Sequence, residues 1–163
     1  MHGKTKKINT SVAQEKSHPA SADFAAYSRD CIAIASQPDF WDKANALMKI
    51  RHWNPEIFSE STQLDYLEWR RFVTEVEKPF SDRYKLPTLL KAMAICIGLD
   101  IAPDIAESLL ASAGHVLTLR HDERALHFAL TAFRGDIVKC NDFLESQSLK
   151  TLGSKDRDKK SSA

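Results

Sequence analysis

Apolar residues recur along this chain at intervals of three and four, and that spacing commits it to helices. In 23–36, Phe24, Tyr27, Cys31, Ile34 and Ala35 fall on one stripe, as side chains of an amphipathic helix do. In 40–52, Phe40, Ala44, Leu47, Met48 and Arg51 share a face. No run alternates β-branched with polar residues. With 5 Gly and 6 Pro the chain is too poor in turn formers for an all-β fold. The expected fold class is therefore all-α: a compact helical bundle.

Punctuation divides the bundle into eight helical elements. Gln37-Pro38 stops the first, because proline cannot continue the hydrogen-bond ladder. Asn54-Pro55 supplies an N-cap followed by proline at the first helical position, and starts a short third helix over 55–61 with Ile57 and Phe58 inward. Asp65-Tyr66-Leu67-Glu68 has the capping-box pattern, in which the first side chain accepts the N–H of the fourth residue and the fourth reaches back. It opens a fourth helix over 66–78, with Trp69, Phe72, Val73 and Val76 as its buried stripe. A polar loop, 79–86, leads through Pro87 to a helix over 88–97 that is apolar nearly all round. That is the character of a central core helix, with Gly98 as its left-handed C′ residue. Further helices cover 103–113 and 122–133, closed by Gly114 and Gly135, and 136–145, opened by the cap Asp136.

Charge separates the ends from the body. Residues 1–20 carry Lys4, Lys6, Lys7 and Lys16 against Glu15, and 148–163 carry five basic residues against Asp156 and Asp158. Each segment is net +3, so the whole-chain value of +1 leaves −5 on 21–147. Both ends are polar and aperiodic, and are expected to be disordered basic tails at 1–20 and 154–163. Between them, 21–100 reads as an N-terminal helix plus a helix-turn-helix-like unit. Residues 101–153 read as a C-terminal helical extension packed on it. No apolar run approaches the ~18–20 residues of a membrane span, and the polar start predicts no secretory signal. Cys31, Cys96 and Cys140 are odd in number, widely spaced and set in apolar patterns. They are expected as buried thiols of a cytoplasmic protein.

The constellation that bears on function lies within 40–98. A helix, a very short helix after Asn54-Pro55, and a tightly capped helix after Asp65 follow one another. If the Trp69 stripe faces inward, the opposite face presents Tyr66, Leu67, Arg70, Arg71 and Thr74, with Lys78 at the far end. In a DNA-binding helix-turn-helix, the second helix enters the major groove and its N-terminal residues meet base edges. Arginines there bond guanine or hold phosphates.

The stretch 40–98 resembles the repressor/Cro-like helix-turn-helix family. Glu107-Ser-Leu-Leu-Ala-Ser-Ala-Gly-His-Val-Leu117 is similar to a segment that follows that domain in small bacterial regulators. Arg124–Leu130, Cys140-Asn-Asp-Phe-Leu144 and Leu152-Gly153 resemble the C-terminal helical extension of the same proteins. The resemblance covers 40–153. It implies an all-α fold and a regulatory role with double-stranded DNA as partner, in a phage, defence or toxin–antitoxin setting.

Two departures keep a second reading open. The turn 61–64 lacks the usual glycine, and Glu68, Glu75 and Glu77 sit on the recognition-like helix among its cations. A protein–protein adaptor or inhibitor on the same scaffold, docking through Tyr66 and Leu67 with arginines at the rim, fits those residues. The DNA-binding reading goes with a homodimer, whose doubled contacts would offset those acids. No enzyme, cofactor or metal is expected. His121-Asp122-Glu123 with His127 does not place two imidazoles at i and i+4, and its acids suit a helix N-terminus. Asp100, Asp104 and Glu107 read as a solvated face. There is no glycine-rich phosphate loop or nucleophile elbow. Trp41, Trp53 and Trp69 are expected as core anchors.

Overall fold

The computed structural model describes residues 19–70 and 86–153, and every regular element among them is helical. The helices are α1 (Pro19–Ala35), α2 (Phe40–Ile50), α3 (Pro55–Thr62), α4 (helical over 66–70, where the described stretch stops), α5 (Leu89–Leu99), α6 (Pro103–Ser112), α7 (His121–Ala132) and α8 (Ile137–Ser146). None is long and apolar enough to cross a membrane. Phe72, Val73 and Val76 of the expected stripe, and Arg71, Thr74 and Lys78 of the expected outer face, lie outside the described residues.

Helix α5 is the axis. Ala92, Met93, Ala94, Ile95, Cys96, Ile97 and Leu99 are all buried on it, and α2, α3, α6, α7 and α8 pack around it. Each large apolar side chain enclosed this way contributes about 1.5–3 kcal/mol relative to exposure. The core is continuous across both halves of the chain. It runs from Phe40, Leu47, Met48 and Phe58 through α5 to Leu109, Leu110, Leu130, Leu144 and Leu152.

The caps form where short polar side chains stand. Asp39 accepts from the Asp42 N–H at 2.9 Å, Asn54 from Ile57 at 2.8 Å, and Asp136 from Lys139 at 3.0 Å. Thr88 caps α5, accepting from Lys91. One C-terminus is closed from outside its own helix: Lys43 of α2 donates to the carbonyls of Ile34 and Gln37 at 2.6 and 2.7 Å. This places a cation at the negative end of α1.

Three expectations require correction. Helix α1 begins at Pro19, not at 23. Residues 19 and 20 therefore belong to it rather than to the tail, since proline is well suited to a helix's first turn. Ile57 is 37 % exposed. A helix of two turns buries one narrow stripe, and Phe58 and Thr62, four apart, occupy it. Gly98 is not a C′ residue but lies inside α5. Asp100 takes the left-handed cap instead, at φ 54° and ψ 48°. Glycine is needed at 98 for proximity: a Cβ there would stand 2.7 Å from the Ser61 carbonyl oxygen and 2.9 Å from the Thr62 methyl.

A charged pair crosses the bundle beside α5. The Arg51 guanidinium bonds both Asp30 oxygens, at 2.9 and 2.7 Å, and its Nε donates to the Leu99 carbonyl at 2.7 Å. Asp30 is almost wholly buried. The stripe assigned to α2 placed Arg51 inward, but nothing in sequence spacing couples it to Asp30 on another helix.

Candidate nucleic-acid interface

The turn between α3 and α4 is built from side chains that close on its backbone. Thr62, fully buried, donates its hydroxyl to the Phe58 carbonyl at 2.7 Å and accepts the Leu64 N–H at 3.1 Å. Gln63 follows in the left-handed region, at φ 61° and ψ 17°, and its N–H bonds the Ser59 carbonyl. That conformation costs a non-glycine residue roughly 1–2 kcal/mol, which the surrounding contacts offset. Leu64 is buried, and Asp65 then caps α4, accepting the Glu68 N–H at 3.0 Å. The turn therefore comprises 63–65, with Gln63 in the backbone role that glycine usually fills.

Aromatic packing fixes the orientation of α4. Trp69 lies edge-on to Phe58 with ring centroids 5.3 Å apart, and Trp53 flanks Phe58 at 6.1 Å. The Glu68 carboxylate receives the Lys91 ammonium at 2.6 Å, tying α4 to α5. With Trp69 turned inward, Tyr66 and Leu67 are exposed, at 58 % and 69 %, and Arg70 is exposed beside them. Of the six residues expected at the interface these three are described, and they share the outer side of the first turn of α4. Acids stand near them: Glu56 and Glu60 are exposed on α3, and Asp65 is half-buried at the cap.

Two glycines from distant parts of the chain seat the turn. Gly98 lets α5 meet the backbone at Ser61. Gly153, at φ +94°, stands so close to Gln63 that a Cβ would lie 2.5 Å from the Gln63 Cβ and 2.7 Å from its carbonyl oxygen. Gly153 is delivered by a strap, 149–153, that runs back over α8. Asn141 holds the strap as a backbone partner would: its Oδ1 accepts the Leu152 N–H at 2.7 Å, and its amide donates to the Leu152 carbonyl at 3.1 Å. Leu152 is fully buried behind that clamp. Sequence reasoning picked out Asn141 and Leu152-Gly153 only as points of resemblance. Their task is to support the turn.

The other polar groups singled out in the sequence are dispersed. Asp100 pairs with Arg134 at 3.2 Å. Asp104 accepts from the Tyr27 hydroxyl at 2.5 Å, which, with the Cys31 thiol nearby, raises the phenol well above its ordinary titration range. Glu107 meets His127 at 3.1 Å. Glu123 accepts from the Thr118 N–H and hydroxyl at 2.7 and 2.8 Å ahead of α7, and Asp122 lies 3.8 Å from Arg120. The three acids expected as a plain solvated face thus each hold a partner on another element. No group of three or more His, Cys, Asp or Glu suited to a metal forms among the described residues. All three cysteines are free. Cys96 and Cys140 are buried, while Cys31, expected to be buried too, is partly accessible because it sits at the edge of α1's inner stripe. Trp41 is buried, and Trp53 and Trp69 pack partly buried against the core.

The class that fold and site define is an all-helical protein with a helix, a three-residue turn and a capped helix at one surface. Comparison with protein-family models, with curated proteins and with solved structures returns no match.

Proposed function

We propose that this chain is a DNA-binding regulatory protein of helix-turn-helix type, reading double-stranded DNA with the first turns of α4. The observation that carries the reading is the outward set Tyr66, Leu67 and Arg70 on a helix whose inner side is fixed by Trp69 against Phe58. A recognition helix needs that combination, because base edges are met by side chains whose backbone does not move. The resemblance of the sequence over 40–153 to repressor/Cro-like regulators supports the same reading. Arg71 and Lys78, which follow in the sequence, are the further cations this reading calls on, with Thr74 as a polar contact.

The test is selection from a randomised duplex library, followed by titration of the enriched sequence at several salt concentrations. Replacing Arg70 and Arg71 together by alanine is expected to abolish discrimination and to flatten the salt dependence, by ~0.9 in log–log slope per lost phosphate contact. An unenriched library, with no duplex bound at low salt, would refute the reading.

A second reading, an adaptor or inhibitor that docks a protein on this face, is favoured by one observation. Glu56, Glu60 and Asp65 flank the exposed Tyr66 and Leu67, and acids near phosphates oppose DNA. Leu67→Asp discriminates. An adaptor loses its partner complex while the circular dichroism spectrum stays unchanged, and a complex that survives the substitution counts against docking here.

A further inference from the structure

Large apolar side chains gather at the surface where the chain passes from α6 to α7. Leu119 is 86 % exposed and Val116 79 %, both in the loop that joins the two helices, and Phe128 on α7 is 53 % exposed. Leu119 and Phe128 line a shallow cleft of about 530 Å³, together with Glu107, Leu117, Arg124 and His127. Phe128 is braced by Phe133 and Phe143, whose ring centroids lie 6.1 and 5.3 Å from its own. Single apolar residues scattered over a surface need no partner. Val116, Leu119 and Phe128 stand on one loop and the helix it leads into, and offer on the order of 400 Å² of apolar surface, a size at which an exposed patch is often functional.

Charge on the rim selects the occupant. Glu107 stands on α6 and meets His127 of α7 at 3.1 Å, with both side chains more than half exposed, so the pair contributes little to stability. Arg124 lies one turn earlier on α7. It is exposed and has no ion pair among the described residues. One cation without an acid and one acid in a weak pair thus share the rim of an apolar centre. A two-fold rotation brings them together, because in an isologous contact residue i of one copy meets residue j of the other and j meets i.

We infer that this cleft is the face through which two copies of the chain pair. Leu119 and Phe128 of each copy cover those of the other, and Arg124 of each copy meets Glu107 of the other. The apolar patch supplies about half of the ~800 Å² per copy that a stable interface buries, as suits an apolar centre inside a polar rim. The cleft takes no residue from α3, α4 or the turn between them. Pairing therefore consumes none of the candidate nucleic-acid interface, and it holds whichever partner α4 meets.

Sedimentation velocity over a concentration series tests this on the full-length chain and three variants. Leu119→Asp puts a charge at the apolar centre, on a side chain that is exposed in the single copy. Glu107→Arg and Arg124→Glu each set like charges against one another across the two-fold. Mixed one to one, those two variants form a pair in which both contacts are again between opposite charges. A thermal melt checks each fold.

The natural chain is expected to dimerise. Leu119→Asp should weaken the dimer at least about tenfold, each charge reversal should weaken it on the order of tenfold, and the mixture should recover most of the loss. A natural chain that stays monomeric at ~100 μM overturns the inference. So does a Leu119→Asp protein that keeps its melt and dimerises as tightly as the natural chain. Reversals that weaken the dimer without recovery on mixing overturn the two-fold exchange of Arg124 and Glu107, and that arm decides the matter even where Leu119→Asp fails to fold.

Discussion

Gly98→Ala is the sharpest test of how the turn is held. By helix propensity alone it should stabilise α5 by about 0.8–1 kcal/mol, because alanine is the better helix former. The geometry argues the opposite sign. The new methyl would meet the Ser61 carbonyl oxygen at 2.7 Å, the Thr62 methyl at 2.9 Å and the Ser61 carbonyl carbon at 3.0 Å. Two of those three are backbone atoms in the last turn of α3, which cannot rotate away as a side chain can. Overpacking of this kind costs about 1–3 kcal/mol. With rigid neighbours the upper part of that range applies, for a net loss of ~1–2 kcal/mol. At ~2–4 °C per kcal/mol for a chain of this size, that lowers the melting temperature by about 2–8 °C. Differential scanning calorimetry reads it directly, and Trp53 and Trp69 fluorescence reports whether α3 has shifted. Thr62→Ser removes the crowding methyl but keeps the hydroxyl that bonds Phe58 and Leu64, so it should recover about 0.5–1 kcal/mol in the Gly98→Ala background. A Gly98→Ala protein that melts at or above the natural chain would refute the close-approach argument.

Arg51→Met should cost about 3–5 kcal/mol in urea unfolding, because it leaves the buried Asp30 carboxylate without its cation. Asp30→Leu combined with Arg51→Met should recover most of that loss, and a double variant no more stable than the single one would refute the pairing as its cause. In native protein at pH 8 a maleimide should label Cys31 alone, since burial pushes the Cys96 thiol far up and the Cys140 thiol up to about 12; labelling of either buried thiol at the Cys31 rate would contradict this. The same burial gives an alkaline limit. The unfolded thiols ionise near pH ~8.5 and the folded ones only far above it. Their contribution is therefore complete below ~8.5 and is lost progressively as pH rises towards 12. Cys140→Ala should reduce that alkaline loss, as measured by urea midpoints at pH 8 and 10.

What the sequence made legible is what depends on neighbours along the chain. Stripes such as Phe40, Ala44, Leu47 and Met48 fix which side of a helix is buried, and caps such as Asn54, Asp65 and Asp136 act within four residues. Both kinds of signal correspond to elements and hydrogen bonds in the fold. The features missed are contacts between distant parts of the chain. The type of Gly98 was plain, but a C′ glycine and a close-approach glycine look alike until α3 is placed against α5. Lys43 as the cap of another helix, Arg51 against Asp30 and Asn141 against Leu152 share the same difficulty: each residue's partner is set by tertiary geometry. In the candidate interface, the inward Trp69 and outward Tyr66 and Leu67 followed from helical spacing. The left-handed Gln63 did not, since its backbone lies closely against Gly153, ninety positions later.

That dependence has a consequence for how the molecule is born. A ribosome releases α3 and the start of α4 long before it has made Asn141 or Leu152, so during synthesis the bend at 63–65 lacks the groups that brace it. The candidate interface is completed last, by Asn141 of α8 and by the strap that follows it. Nascent chains should therefore be unable to engage a target prematurely. An excised 40–98 fragment should also be a poor substitute for the whole, however complete its helices look on paper.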